Sequence, residues 1–198
     1  MLRDKVVLIT GAGKGAGRAL AEALAERGAV IAANDISPIN VEEVVKRINA
    51  SGGKAHAYIE DIAKKVGAQT VVKNVEDDFG HIDILINHAA VEPHVSLLNM
   101  DEWDWHRTLD VNLTGAFLMI QSAGWVMRAK GHGVIVNLVA GTGERSKKEA
   151  GAYLASKAGL VELSRQADAE LSPHGVRVFA VENSDDVVET ILSMLEEK

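Results

Sequence analysis

Cysteine is absent from the 198 residues. Disulfides, thiolate catalysis and cysteine-ligated metals are therefore excluded, and a reducing compartment is allowed without being required. No apolar run approaches the roughly 20 residues a membrane span needs. No hydrophobic signal region precedes the first strand-like segment, which begins within five residues of Met1. Positive charge is also in deficit: 21 Lys and Arg against 28 Asp and Glu leave a net charge of −7. That balance disfavours nucleic acid or an anionic membrane as the main partner. The seven histidines show no spacing typical of a metal site, so no metal is expected. These absences make a cytoplasmic protein acting on small molecules the default.

What is present is ordinary globular usage, 47% apolar and 25% charged residues, over a length that suits one domain, residues 1–198. Short apolar runs alternate with longer helical patterns. Residues 6–10 (Val-Val-Leu-Ile-Thr) form a β-branched run bounded by Gly11, as expected of a strand buried on both faces. Ala19, Leu20, Ala23 and Leu24 have helical spacing, and Gly28 supplies a stop. Further strands are predicted at 29–34, 55–59, 82–87, 134–138 and 176–181. Helices are predicted at 41–50, 63–79, 103–130, 151–171 and 185–197. Six strands interleaved with helices imply an α/β fold, a doubly wound, Rossmann-like parallel sheet covered on both faces by right-handed crossovers.

The first strand feeds into Thr10-Gly11-Ala12-Gly13-Lys14-Gly15-Ala16-Gly17 and then into a helix. Glycine lets the backbone take positive φ and approach a diphosphate, and the helix N-terminus offers unpaired N–H groups to an anion. Any tight strand-to-helix turn favours glycine; the strand-loop-helix context is what points to a dinucleotide. Asp35 lies 18 residues after Gly17, near the spacing at which a carboxylate binds an adenosine ribose. Such a carboxylate would repel a 2′-phosphate, so NAD(H) is favoured over NADP(H). Lys14 pulls the other way, and Asp35 could instead be an exposed turn aspartate capping the next segment.

Tyr153 and Lys157 lie four residues apart, on one face of a helix. An ammonium near a phenol favours the phenolate, and such a tyrosine could exchange a proton with a carbinol or carbonyl oxygen while nicotinamide exchanges a hydride. Taken alone, the pair is equally well a packed tyrosine with a solvated lysine.

With these residues in place, the chain resembles the short-chain dehydrogenase/reductase family from about Lys5 to Val181. Thr10-Gly11-x-x-x-Gly15-x-Gly17 resembles its glycine motif, and Asp61-Ile62 its adenine-contacting pair. Asn87-His88-Ala89-Ala90 looks like its Asn-Asn-Ala-Gly turn with two substitutions. Asp110-Val111-Asn112-Leu113-Thr114-Gly115 matches the segment carrying its helix asparagine, and Tyr153-x-x-x-Lys157 its catalytic pair. The resemblance implies catalytic Tyr153, Lys157 and Asn112, the last maintaining a water and proton path to Lys157. It implies cofactor contacts from Gly11, Lys14, Gly15, Gly17, Asp35, Asp61, Ile62, Asn87, Ala89, Tyr153 and Lys157. Read without the family, Asn112 is a helix-surface amide, Asn87 orders the sheet edge, and His88 either faces the cofactor or is structural.

Two departures stand out. The family's active-site serine, about 13 residues before the tyrosine, is here Ala140. Loss of a comparable donor can cost on the order of 10²–10³ in rate, unless Thr142 or Ser146 substitutes. The chain also runs from Val181 through Glu182-Asn183-Ser184 directly into its last helix, without the family's substrate-covering lid or a seventh strand after that helix. Either the cleft is open, or a flexible lid belongs at the Asn183–Ser184 join.

Two functions follow: an NAD(P)-dependent oxidoreductase interconverting a secondary alcohol and a ketone, or a catalytically weak NAD(H)-binding member with a regulatory or scaffold role. Small residues on the two long helices (Ala116, Ala123, Gly124, Ala158, Gly159) fit the family's four-helix interface, so a homodimer or homotetramer is expected.

Overall fold

The computed structural model describes residues 2–141 and 148–196. Strand β1 (Val6–Thr10) is buried along its whole length. Val7 and Ile9 pack into one apolar cluster and Val6 and Leu8 into another, because successive side chains of a strand point to opposite faces. Burial on both faces explains why β1 reads as a continuous hydrophobic run.

The other strands are β2 (Val30–Asp35), β3 (Lys54–Ile59), β4 (Ile84–Asn87), β5 (Gly133–Ala140) and β6 (Val176–Asn183). They form one parallel sheet in the order β3-β2-β1-β4-β5-β6. Helices α1 (Gly15–Glu26), α2 (Pro38–Ala50) and α7 (Val187–Glu196) cover one face; α3 (Lys65–Phe79), α5 (Ala116–Lys130) and α6 (Gly151–Leu171) cover the other. The doubly wound, Rossmann-like reading is therefore correct.

Several boundaries differ from the expectation for local reasons. Helix α2 opens three residues before 41, because Pro38 is pre-set for a first helical turn and lacks the N–H that would go unpaired there. Residues 63 and 64 are not helical: Asp61 accepts the Ala63 N–H at 3.1 Å and closes a turn ahead of α3. The single helix expected over 103–130 is three segments, α4 (Glu102–Leu109), a π-helical turn (Asp110–Gly115) and α5. Asp101 caps α4, accepting the Asp104 N–H at 2.7 Å. Strand β5 continues past 138 to Ala140 because β6 pairs with it there, Ala140 opposite Asn183.

Sheet order reverses between β1 and β4: β2 and β3 lie to one side of β1, and β4, β5 and β6 to the other. A crevice opens at the carboxyl ends of strands where order reverses this way, and ligands of such sheets lie in it. Between β6 and α7 there are three residues, 184–186. No helix among the described residues is long and apolar enough to cross a membrane.

Candidate active site

The glycine turn is held from three sides. Ala12 N donates to Asn34 O at 2.9 Å, and Gly13 N to Asp35 Oδ2 at 2.9 Å. Thr10 Oγ1 accepts the His88 and Ala89 N–H groups, each at 3.2 Å. Two of its glycines show why no other residue fits. Gly11 has φ +67°, and a Cβ on it would lie 2.8 Å from Ala89 Cα. A Cβ on Gly17 would lie 2.4 Å from Gly11 O and 2.5 Å from His88 Nδ1, so α1 could not start so close to β4. No side chain caps α1, and its first-turn N–H groups are left for an anion. At Gly15 (φ +57°) a Cβ would meet nothing within 4 Å, so the turn faces open space on that side. An uncapped helix start behind a closely packed glycine turn fits a pyrophosphate.

From this turn a crevice of ≈ 480 Å³ runs along the strand ends. Gly11, Lys14, Asp35, Asp61, Ile62 and Ala89 all line it, six of the residues singled out from the sequence. Asp35 is buried, its Oδ2 accepting from Gly13 N and its Oδ1 from Ser37 N at 2.9 Å. It is thus an organiser of both the glycine turn and the start of α2. The exposed turn aspartate is ruled out, though the carboxylate does cap the Ser37 N–H.

A second, smaller cavity of ≈ 170 Å³ is lined by His88, Ala90, Val91, Glu92, Leu138, Tyr153, Lys157 and Asn183. Tyr153 and Lys157 are 5% and 3% exposed. Lys157 Nζ donates to Leu138 O at 2.7 Å and lies 5.8 Å from the centre of the Tyr153 ring. A solvated lysine is thereby excluded. His88, Ala90 and Val91 line both cavities, which therefore adjoin.

His88 Nδ1 lies 3.0 Å from Gly11 O. A carbonyl only accepts, so Nδ1 carries the proton and Nε2 holds the lone pair. Burial, with the Lys157 charge adding to it and the Gly11 carbonyl opposing, pushes the imidazole below its usual range.

Asn112 sits in the π-helical turn, not on a helix surface. Its Oδ1 accepts the Val91 N–H at 2.8 Å, and its Nδ2 lies 2.9 Å from Val91 O and 3.0 Å from Ser156 Oγ. Ser156 Oγ donates to Tyr153 O at 2.7 Å. The amide therefore ties the loop after β4 to the helix carrying Tyr153, from behind the cavity wall. Asn87 Nδ2 donates to Asn137 Oδ1 at 2.8 Å, and Asn137 Nδ2 to Ser164 Oγ at 2.9 Å. Its amide joins β4 to β5 and through Asn137 to α6. Neither Asn87 nor Asn112 lines either cavity.

The short chain dehydrogenase family model matches residues 5–190. An uncharacterized oxidoreductase of Thermotoga maritima is 40% identical over 179 residues, covering 90% of this chain and 70% of its own length. This chain belongs to the short-chain dehydrogenase family. Among solved structures, an NAD+-bound xylitol dehydrogenase superposes with a TM-score of 0.87 at 29% identity, covering 98% of this chain and 76% of that one. A metagenomic short-chain oxidoreductase in complex with NADP gives 0.91 at 28% identity, covering 98% and 91%.

Against the family pattern, Ala140 is buried at the carboxyl end of β5. Thr142 and Ser146 lie outside the described residues. Sequence reasoning did not single out Glu92, Asn183, Trp103 or Arg107, which line the two cavities. Glu92 and Asn183 carry no motif. Trp103 and Arg107 are four apart on α4, a spacing that places them on one helix face and was there to be read.

Proposed function

We propose that this short-chain dehydrogenase interconverts a secondary alcohol and a ketone with a nicotinamide dinucleotide. The observation that carries this reading is the buried Tyr153/Lys157 pair on a cavity that shares His88, Ala90 and Val91 with the glycine-turn crevice. Gly11, Lys14, Gly15 and Gly17 would hold the pyrophosphate, Asp35 the adenosine ribose, and Asp61 and Ile62 the adenine. Ala89 would contact the nicotinamide half. Asn87 and Asn112 hold the walls from behind, as positioning residues. When bound, the dinucleotide supplies or accepts a hydride at the carbonyl carbon. In the reducing direction Tyr153 Oη gives its proton to the carbonyl oxygen, leaving a phenolate that is reprotonated from solvent. Lys157 sits beside the Tyr153 ring and anchors to Leu138 O.

Asp35 favours NAD(H), because a carboxylate repels a 2′-phosphate and this one already accepts two backbone N–H groups. Ala140 makes a slow enzyme, since alanine has no donor for the reacting oxygen. Calorimetric titration of the purified chain with NADH and NADPH, followed by a panel of ketones, tests the reading. NADH should bind more tightly than NADPH, and ketone reduction should follow. The reading fails if neither dinucleotide binds at millimolar concentration.

A homodimer or homotetramer joined through α5 and α6 belongs to the same proposal. Phe117, Trp125 and Val161 on these helices are exposed, as an interface would leave them in a single protomer. Sedimentation should show particles larger than the 21.2 kDa chain.

A further inference from the structure

We infer that Trp103 and Arg107 of α4 form a purine-gripping wall of the crevice. The inference rests on the dinucleotide reading above and adds a contact that the family's adenine pair, Asp61-Ile62, does not include. Gly11 and Lys14 of the glycine turn, Asp35 and Ile36 at and after the end of β2, Asp61 and Ile62 after β3, and Trp103 and Arg107 of α4 all line this one crevice. A dinucleotide with its pyrophosphate on the glycine turn and its ribose at Asp35 would lay its base in the rest of this crevice, where α4 supplies Trp103 and Arg107.

Two large apolar side chains on this crevice stand in water: Ile36 is 64% exposed and Trp103 is 65% exposed. A flat heteroaromatic ring set between the strand end and α4 would cover apolar surface on both sides. The Arg107 guanidinium lies 5.3 Å from the centre of the Trp103 ring, within cation–π range, so the two side chains present one surface to the crevice. Asp61 and Asp110 bring carboxylates to the same crevice, acceptors for the exocyclic amine of adenine.

ADP-ribose and NADH carry the purine, whereas reduced nicotinamide mononucleotide lacks it. Calorimetry with all three probes, on the wild-type chain, W103A, W103F and R107A, separates the possibilities. W103A and R107A should weaken ADP-ribose and NADH on the order of 10-fold, the size of one base–aromatic contact. W103F should stay near wild type, and mononucleotide affinity should be unchanged throughout. Exciting tryptophan should give NADH emission that falls in W103F, although Trp105 and Trp125 remain. Wild-type affinity of W103A for ADP-ribose overturns the inference. So does an equal loss with the mononucleotide, which would mean general damage. A wild-type chain that binds neither purine ligand removes the dinucleotide site itself, and the wall with it.

Discussion

Tyr153 and Lys157 stand one helical turn apart, and burial sets the character of both. A buried ammonium must be hydrogen-bonded, and Leu138 O accepts from it at 2.7 Å. Replacing Tyr153 with phenylalanine removes one oxygen and leaves the ring against Lys157. NADH affinity should therefore hold within about 3-fold while ketone reduction falls by at least the 10²–10⁴ typical of a lost acid/base. Unchanged turnover in stopped-flow assays would remove Tyr153 from the chemistry. Ala140→Ser tests the missing donor in the opposite direction: kcat should rise by about 10-fold or more if the added hydroxyl reaches the reacting oxygen. His88 offers a pH test. Its folded-state pKa is depressed, mainly by burial, so the unfolded chain takes up its proton first as pH falls. The associated stability is present above the unfolded value near ~6.5 and lost as pH drops below it. His88→Asn should show a flatter melting-temperature profile than wild type between pH 7 and 5. Parallel profiles would show that His88 does not set this slope.

The π-helical turn between α4 and α5 does at the level of an element what no residue pattern announces. Periodicity alone carries one helix through 103–130, since an extra residue in a single turn hardly disturbs the apolar repeat. What the bulge achieves is placement: Asn112 is buried and meets both backbone groups of Val91, a residue that lines both cavities. Asn112→Ala would leave the part-buried Val91 N–H and C=O without that partner, at about 0.5–1.5 kcal/mol for each lost hydrogen bond. Thermal unfolding should show this loss, and ketone KM should rise because Val91 is freed. An unaltered melting temperature would contradict the tie. The strands were legible because β1, β2 and β4 are buried on both faces and written in apolar residues. Their ends were less so. Val139 and Ala140 extend β5 only because β6 lies beside them, a long-range pairing with no local signal. The glycine turn and Tyr153/Lys157 were legible for the opposite reason: their chemistry demands particular residues at fixed short spacings. Glu92 and Asn183 reach the Tyr153 cavity from separate loops and strands, so only the folded sheet brings them there.

Across the whole molecule the two ends of the sheet do different work. The carboxyl ends of β1, β2 and β4 open onto the crevice, while one buried carboxylate, Asp83, sits at the amino ends of β1 and β4. It accepts from Val6 N at 2.9 Å and Lys5 Nζ at 3.1 Å, lies 3.0 Å from His81 Nε2, and has His132 Nδ1 at 3.9 Å. Burial would raise this carboxyl, but the Val6 N–H, Lys5 and His81 outweigh it and hold Asp83 below the usual carboxylate range. A depressed folded-state pKa means stability that is present above the unfolded value near ~3.9 and lost as pH falls through the folded one. Asp83→Asn keeps the shape but not the charge. It should melt below wild type at neutral pH, and the gap should shrink as acid protonates Asp83 in the wild-type chain. A gap of constant size from pH 7 to 3 would mean that packing, not charge, is what Asp83 contributes. Because this cluster sits at the opposite end of the strands from the glycine turn, NADH affinity at pH 7 should be the same in both proteins. A weaker affinity in Asp83→Asn would mean that the two ends of the sheet are coupled through β1 and β4.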